Sequence, residues 1–214
     1  MRYFGWLVTL AVPIAAIALN IHLLASDGFL RFEYGRPGFP PAPGFADEQR
    51  LALALPGTLF IVNDAPPESL AALHDGGQPL YAADEIAHLV DVRRVVTRLT
   101  WLGWLAALVL VGALVAAARG ERRPMGRALA RGGWLTLGLV LLTGLGVALA
   151  WSWLFTTFHE LFFPAGTWQF AEESGLIRLF PGQFWYDTAL ALAGLSALEG
   201  LLAAGVGRRL GRAG

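Results

Sequence analysis

Two histidines stand where they could move a proton: His88 in Glu85-x-x-His88-x-x-Asp91, and His159 in Phe158-His159-Glu160-Leu161-Phe162-Phe163. Imidazole, with an unperturbed pKa of about 6.5, is the side chain best suited to proton transfer at neutral pH. Glu85, His88 and Asp91 recur at i, i+3 and i+6, so they share one side of a helix. A carboxylate one turn away can fix the ring's tautomer and raise its basicity, and Glu160 is placed to do the same for His159. Both histidines lie at the same end of apolar stretches, near the depth where lipid headgroups begin. Together they suggest acid–base chemistry on a lipid ester.

Other chemistries fit less well. His159-Glu160-Leu161-Phe162-Phe163 opens like the zinc-protease signature His-Glu-x-x-His, but phenylalanine holds the fifth position and the second ligand is missing. Glu85-x-x-His88 is half of a di-iron carboxylate motif with no second copy. A single metal held by His88, His159 and a carboxylate is the weaker reading of the same residues. No Gly-x-Ser-x-Gly supports a serine hydrolase. Cysteine is absent, which excludes disulfides, thiol nucleophiles and cysteine metal sites. His22 and His74 lack comparable settings and read as interfacial and surface residues.

The elements that must position the pair are membrane helices. Of 214 residues 56% are apolar, and stretches at 3–24, 99–118, 134–155 and 184–206 each reach the roughly 20 residues that cross a hydrocarbon core of about 30 Å. In lipid every backbone amide must be paired within its own segment, so these are helices. The expected fold is an all-α polytopic membrane protein with four transmembrane helices. The first span is too long for a cleaved leader and reads as a signal anchor. The expected segments are 1–24, 25–98, 99–118, 119–133, 134–155, 156–183, 184–206 and 207–214.

Orientation follows from arginine, since the chain has no lysine. Arg119, Arg122, Arg123, Arg127 and Arg131 crowd 119–133; Arg208, Arg209 and Arg212 follow the last span, and Arg2 precedes the first. The positive-inside rule places these regions in the cytoplasm, with both termini inside. The long connections 25–98 and 156–183 hold most of the acids and face outward. Trp101, Trp104, Trp151, Trp153, Trp168 and Trp185 mark the outer boundary, against Trp6 and Trp134 at the inner one. Glu199 sits where it can snorkel or pair with an arginine near the inner end of span four. With almost no ionisable residue at mid-depth, ion transport is disfavoured.

Within 25–98, an extended connector is expected at 36–44, then a helix over 46–55 that Pro56-Gly57 ends. A turn at 63–67 leads to a short helix through Leu73, closed by His74-Asp75-Gly76-Gly77. From Ala82 the chain reads as one helix running into the second span. Arg93, Arg94 and Arg98 ring its entry, either snorkelling or gripping headgroup phosphates. Spans two and three share a short loop, so they are antiparallel neighbours whose outer ends bring His88 and His159 within one substrate of each other. The connection 156–183 holds Phe158, Phe162, Phe163, Trp168, Phe170 and Phe180, and reads as a partly immersed loop or re-entrant flap.

Four spans, Glu85-x-x-His88-x-x-Asp91-Val92, the Phe158–Phe163 block and Leu179-Phe180-Pro181-x-x-Phe184-Trp185 together resemble the lipoprotein intramolecular transacylase (Lit) family over essentially the whole chain. The resemblance implies transfer of the sn-2 acyl chain of a diacylglyceryl-modified lipoprotein onto the α-amine of its N-terminal cysteine, giving a lyso-form lipoprotein. It implies His88 and His159 as the catalytic pair, with no cofactor and no metal. His159 would take the ammonium proton and His88 relay one to the leaving oxygen, or the reverse. Glu85, Asp91 and Glu160 are expected to orient the rings, and Arg93 and Arg94 to bind headgroups. The oxyanion donor is left open among Arg93, Arg94, Asn63 and an amide near Gly166. Partners are such lipoproteins and membrane lipid, with no nucleic acid, for a monomer in the bacterial cytoplasmic membrane with its site at the outer leaflet. A lipid-ester hydrolase using the same histidines, or a non-catalytic lipid-binding or assembly protein, is the alternative.

Overall fold

The computed structural model describes residues 2–42 and 44–212. Met1 of the first segment, Pro43 of the connector, and Ala213 and Gly214 of the tail lie outside the described residues. The order is α1 (Arg2–Leu24), α2 (Asp27–Tyr34), α3 (Asp47–Phe60), α4 (Glu68–Ala71), β1 (His74–Asp75), β2 (Gln78–Pro79), α5 (Ala83–Ala118), α6 (Arg122–Phe162), α7 (Gly175–Leu179) and α8 (Gly182–Arg212). Four helices, α1, α5, α6 and α8, are long and apolar enough to cross a membrane. At 1.5 Å per residue α5 is about 54 Å long and α6 about 60 Å, so each exceeds a hydrocarbon core of about 30 Å.

The chain divides into two compact units. The first holds the chain up to Ile21, Arg98–Leu149 and the part from Leu190 onward. Its helices meet through small residues. A Cβ on Gly133 would strike the carbonyl of Gly200 and the amide of Ala204, and one on Gly126 would strike Gly207 and Gly211. Lipid tails are as apolar as leucine, so helices in a bilayer associate through such close backbone approach and through polar ties. Thr9 Oγ1 lies 3.1 Å from the Ala128 carbonyl. Asn20 Nδ2 donates to Ser196 Oγ at 3.1 Å and to Glu199 Oε2 at 3.0 Å. Glu199 is thus tied to an asparagine of α1, where snorkelling or an arginine partner was expected. Leu108, Leu114, Leu141, Leu142 and Leu149 remain exposed on the helix surfaces.

The second unit, His22–Thr97 with Ala150–Ala189, is built as a water-soluble protein is. Its core gathers Leu30, Ala54, Phe60, Leu70, Tyr81, Leu89, Leu179, Phe180 and Phe184. Arg50 is buried in it: Nη1 donates to the Pro40 carbonyl at 2.6 Å, Nη2 to that of Leu179 at 3.1 Å, and the guanidinium lies 4.4 Å over the Tyr34 ring. Burial pulls its pKa below the usual arginine range, partly offset by Tyr34.

Several local expectations are corrected here. Helix α2, capped by Ser26 Oγ accepting from the Phe29 amide, was not anticipated. Helix α3 does not end at Pro56-Gly57 but runs through both to Phe60. Proline forfeits a single helical hydrogen bond, and burial of Ala54, Gly57, Thr58 and Phe60 outweighs that loss. The glycines at 76 and 77, both at positive φ, turn a two-residue antiparallel ladder pairing His74 with Pro79 and Asp75 with Gln78. Helix α6 continues past residue 155 to Phe162, interrupted by non-helical geometry at Ala150 (φ −148°, ψ 43°). His159 is therefore a helical residue in a last turn, not part of a loop.

Candidate active site

All the groups around the two histidines belong to the second unit. Helix α5 opens at Ala83 with Asp84 and Glu85 in its first turn, where backbone N–H groups lack helical partners. Glu85 uses both carboxylate oxygens on such donors: Oε2 accepts from the Ala82 amide at 2.7 Å and Oε1 from the Leu176 amide at 2.6 Å. The first bond is half of a capping box; the second ties the start of α5 to α7. Glu85 is 2% exposed, so it braces the backbone that carries His88, while its oxygens are engaged away from the ring.

His88, one turn on, is 7% exposed, and its Nδ1 is buried without a hydrogen-bond partner. Phe163 meets the ring edge-on at 4.9 Å between centroids, and Phe170 lies at 5.5 Å. The His159 ring is 6.1 Å away and nearly parallel, at 22°. His88 also lines a cavity of about 50 Å³, together with Gly57, Thr58, Ile61, Leu89, Val92 and Trp185 among others. A Cβ on Gly57 would stand 2.6 Å from Tyr81 Oη, so a larger residue there would force the Tyr81 ring to shift.

His159 is held differently. Its Nδ1 lies 2.7 Å from the Phe155 carbonyl. A carbonyl only accepts, so Nδ1 carries the hydrogen and Nε2 presents a lone pair. Phe155 at 4.1 Å, Trp168 at 4.8 Å and Phe163 at 5.5 Å surround the ring. Trp168 reaches it from a tight turn. The Thr167 amide donates to the Pro164 carbonyl at 3.3 Å, and Gly166, at φ +80°, supplies the positive angle that a type II turn needs at its third residue.

The structure thus brings His88 and His159 together and leaves the other expected groups either engaged elsewhere or exposed. Asp91 accepts from Arg94, and Glu160 is exposed. Arg93 donates to the Ala65 carbonyl and lies 4.1 Å over the Phe60 ring, which fixes it to the turn after α3. Asn63 Oδ1 accepts from the Ala65 amide at 3.0 Å in an Asx turn. Among the described residues no three or more His, Asp or Glu side chains gather as a metal site. Sequence reasoning put Trp168 and Phe170 in an aromatic loop suited to cover the site, without singling them out as the walls around the pair. The aromatic density of 156–183 was the available signal, but it does not say which rings turn inward.

Comparison with known proteins gives a concordant picture. The sequence profile of the lipoprotein intramolecular transacylase Lit matches residues 6–185. An uncharacterized protein of Aquifex aeolicus is 26% identical over 209 residues, covering 94% of this chain and 91% of its own. The crystallised membrane-integral lipoprotein intramolecular transacylase Lit of Bacillus cereus has the same fold, with a TM-score of 0.77 at 17% identity over 99% of this chain and 96% of that one. A form of that protein with one histidine changed to arginine gives 0.62 at 15% identity, over 99% of this chain and 92% of that one. With a match across most of its length and four long apolar helices, this chain belongs to the Lit family of membrane-integral lipoprotein intramolecular transacylases.

Proposed function

We propose that the protein transfers the sn-2 acyl chain of a diacylglyceryl-modified lipoprotein to the α-amine of its N-terminal cysteine. The observation that carries the reading is the pair itself: two imidazoles 6.1 Å apart and nearly parallel in an aromatic enclosure, one with its tautomer set by a backbone carbonyl. The reaction needs a base and an acid at one place. An α-ammonium, with a pKa of about 7.7–8.0, must lose a proton before attack, and His159 Nε2 has the free lone pair to accept it. The amine nitrogen then bonds to the ester carbonyl carbon. As the bond to the glyceryl oxygen breaks, the nitrogen gives up its second proton, which His88 relays to that oxygen, and the proton held by His159 passes to solvent. An ester and an amine become an amide and a hydroxyl, with no redox change and no energy source.

Nucleophile and ester belong to one molecule, so the site's main task is to hold them together and keep water out. Phe155, Phe163, Trp168 and Phe170 suit that task. Glu85 contributes by fixing the backbone beneath His88. Asp91 pairs with Arg94, whose exposed guanidinium is the better placed of the two arginines for a headgroup phosphate. With both termini in the cytoplasm, the site would act at the outer leaflet of the bacterial cytoplasmic membrane, in a monomer.

The test is a synthetic diacylglyceryl lipopeptide, ¹³C-labelled in its sn-2 chain, given to the purified protein in lipid. Fragment ions carrying the label on nitrogen, with a free sn-2 hydroxyl, are expected. Labelled free fatty acid would make the protein a hydrolase, and unchanged substrate would leave a binding protein.

A further inference from the structure

We propose that the indole N–H of Trp168 is the oxyanion donor of this site. The proposal rests on the transacylase reading. As the amine attacks, the carbonyl π pair moves onto the sn-2 ester oxygen, which must be met by a hydrogen-bond donor already in place. Of the groups that sequence offered for that role, Arg93 is engaged on the Ala65 carbonyl and Phe60, Arg94 on Asp91, Asn63 in its own turn, and the Thr167 amide next to Gly166 on the Pro164 carbonyl. Trp168 Nε1 is not. It is buried and has no acceptor, and its ring lies 4.8 Å from that of His159 at 36°.

Indole nitrogen is a donor only, so it has no proton acceptor role and needs an oxygen opposite it. Buried donors without partners are uncommon and ask for an explanation. Here a second unpaired polar atom, His88 Nδ1, belongs to the next ring in the same enclosure. Two unpaired polar atoms thus lie on the two rings that flank His159, at 4.8 Å and 6.1 Å between centroids. The N–H keeps its proton throughout. It bonds to the oxygen while that oxygen is negative. When the bond to glycerol breaks, the pair returns to restore a carbonyl, now that of the amide. The turn at Pro164–Thr167 and the packing against Phe155 hold the indole before substrate arrives.

Steady-state kinetics on the labelled lipopeptide test the assignment. Trp168→Phe keeps an aromatic wall and removes the donor; it should lower kcat about 100-fold, leaving KM within about threefold and the melting temperature unchanged. Should that variant fail to fold, benzothienylalanine placed at 168 keeps the bicyclic shape, with sulfur in place of N–H, and should show the same loss. A substrate whose sn-2 ester carries C=S accepts hydrogen bonds poorly. It should react slowly with wild type and lose little more with Trp168→Phe. Either replacement turning over within about twofold of wild type would overturn the proposal while leaving the transacylase reading intact. Absence of N-acylated product from wild type would overturn the reading, and this proposal with it.

Discussion

The two units of this chain are stabilised in different ways, although α5, α6 and α8 each contribute to both. The first buries little that is bulky. Apart from Val8, Val12, Pro13, Met125 and Val147, its buried residues are alanine, glycine, threonine, serine and asparagine, and its helices touch backbone to backbone. The second buries Phe60, Tyr81, Phe180 and Phe184 with the charged groups of Glu33, Arg50 and Glu85. That contrast is what two solvents would produce. In lipid, burying a large apolar side chain gains little, so closeness and polar ties decide. Facing water, an apolar core stabilises, and a buried charge is tolerated when hydrogen-bonded. The histidines sit in the second kind of unit, where a stiff aromatic core can hold two rings in register.

Breaking the chemistry should have the largest effect and leave both units intact. His88→Ala and His159→Ala should each lower turnover about 10²–10⁴-fold, the range of general acid–base catalysis, with little change in melting temperature. Loss of the fold in either variant would mean that the histidines are structural.

Overpacking the first unit comes next. Gly133→Leu would drive a side chain into the Gly200 carbonyl and the Ala204 backbone and should destabilise by about 3 kcal/mol or more, read as a lower unfolding midpoint in detergent. Turnover per folded molecule should survive, because the histidines lie in the other unit.

Removing the brace of the second unit should couple the two readouts. Glu85→Ala strips acceptors from the amides of Ala82 and Leu176, a loss of about 1–3 kcal/mol for each donor left buried. It should lower kcat as well, since the backbone under His88 is released. An inactive but equally stable variant would show that Glu85 acts in the chemistry directly.

The smallest change is expected at Asn20→Leu. Hydrogen bonds between helices in lipid average about 0.6 kcal/mol, so loss of the two that reach Ser196 and Glu199 should shift stability by about 1 kcal/mol and leave kcat unchanged.

The long apolar helices were legible because length and hydropathy suffice in lipid. The nearness of His88 and His159 was legible because a short connection makes α5 and α6 antiparallel. What could not be read depended on partners remote in sequence. Glu85 looked like a ring-orienting carboxylate because His88 is one turn away, whereas one of its partners is the amide of Leu176, 91 positions later. Proline at 56 looked like a stop because local rules weigh the lost hydrogen bond and not the burial of Phe60 and Thr58. Trp168 looked like part of an interfacial belt, and only the turn at Gly166 brings it to His159.

The most direct test of the central claim is tandem mass spectrometry on a reporter lipoprotein from cells that lack N-acylation and express this protein. Intramolecular transfer leaves intact mass unchanged, so the fragment ions must place the acyl chain. Wild type should yield an N-acyl, S-monoacylglyceryl cysteine, and both His88→Ala and His159→Ala an S-diacylglyceryl cysteine. An N-acylated product that persists in either variant, with the protein folded and expressed, would contradict the central claim.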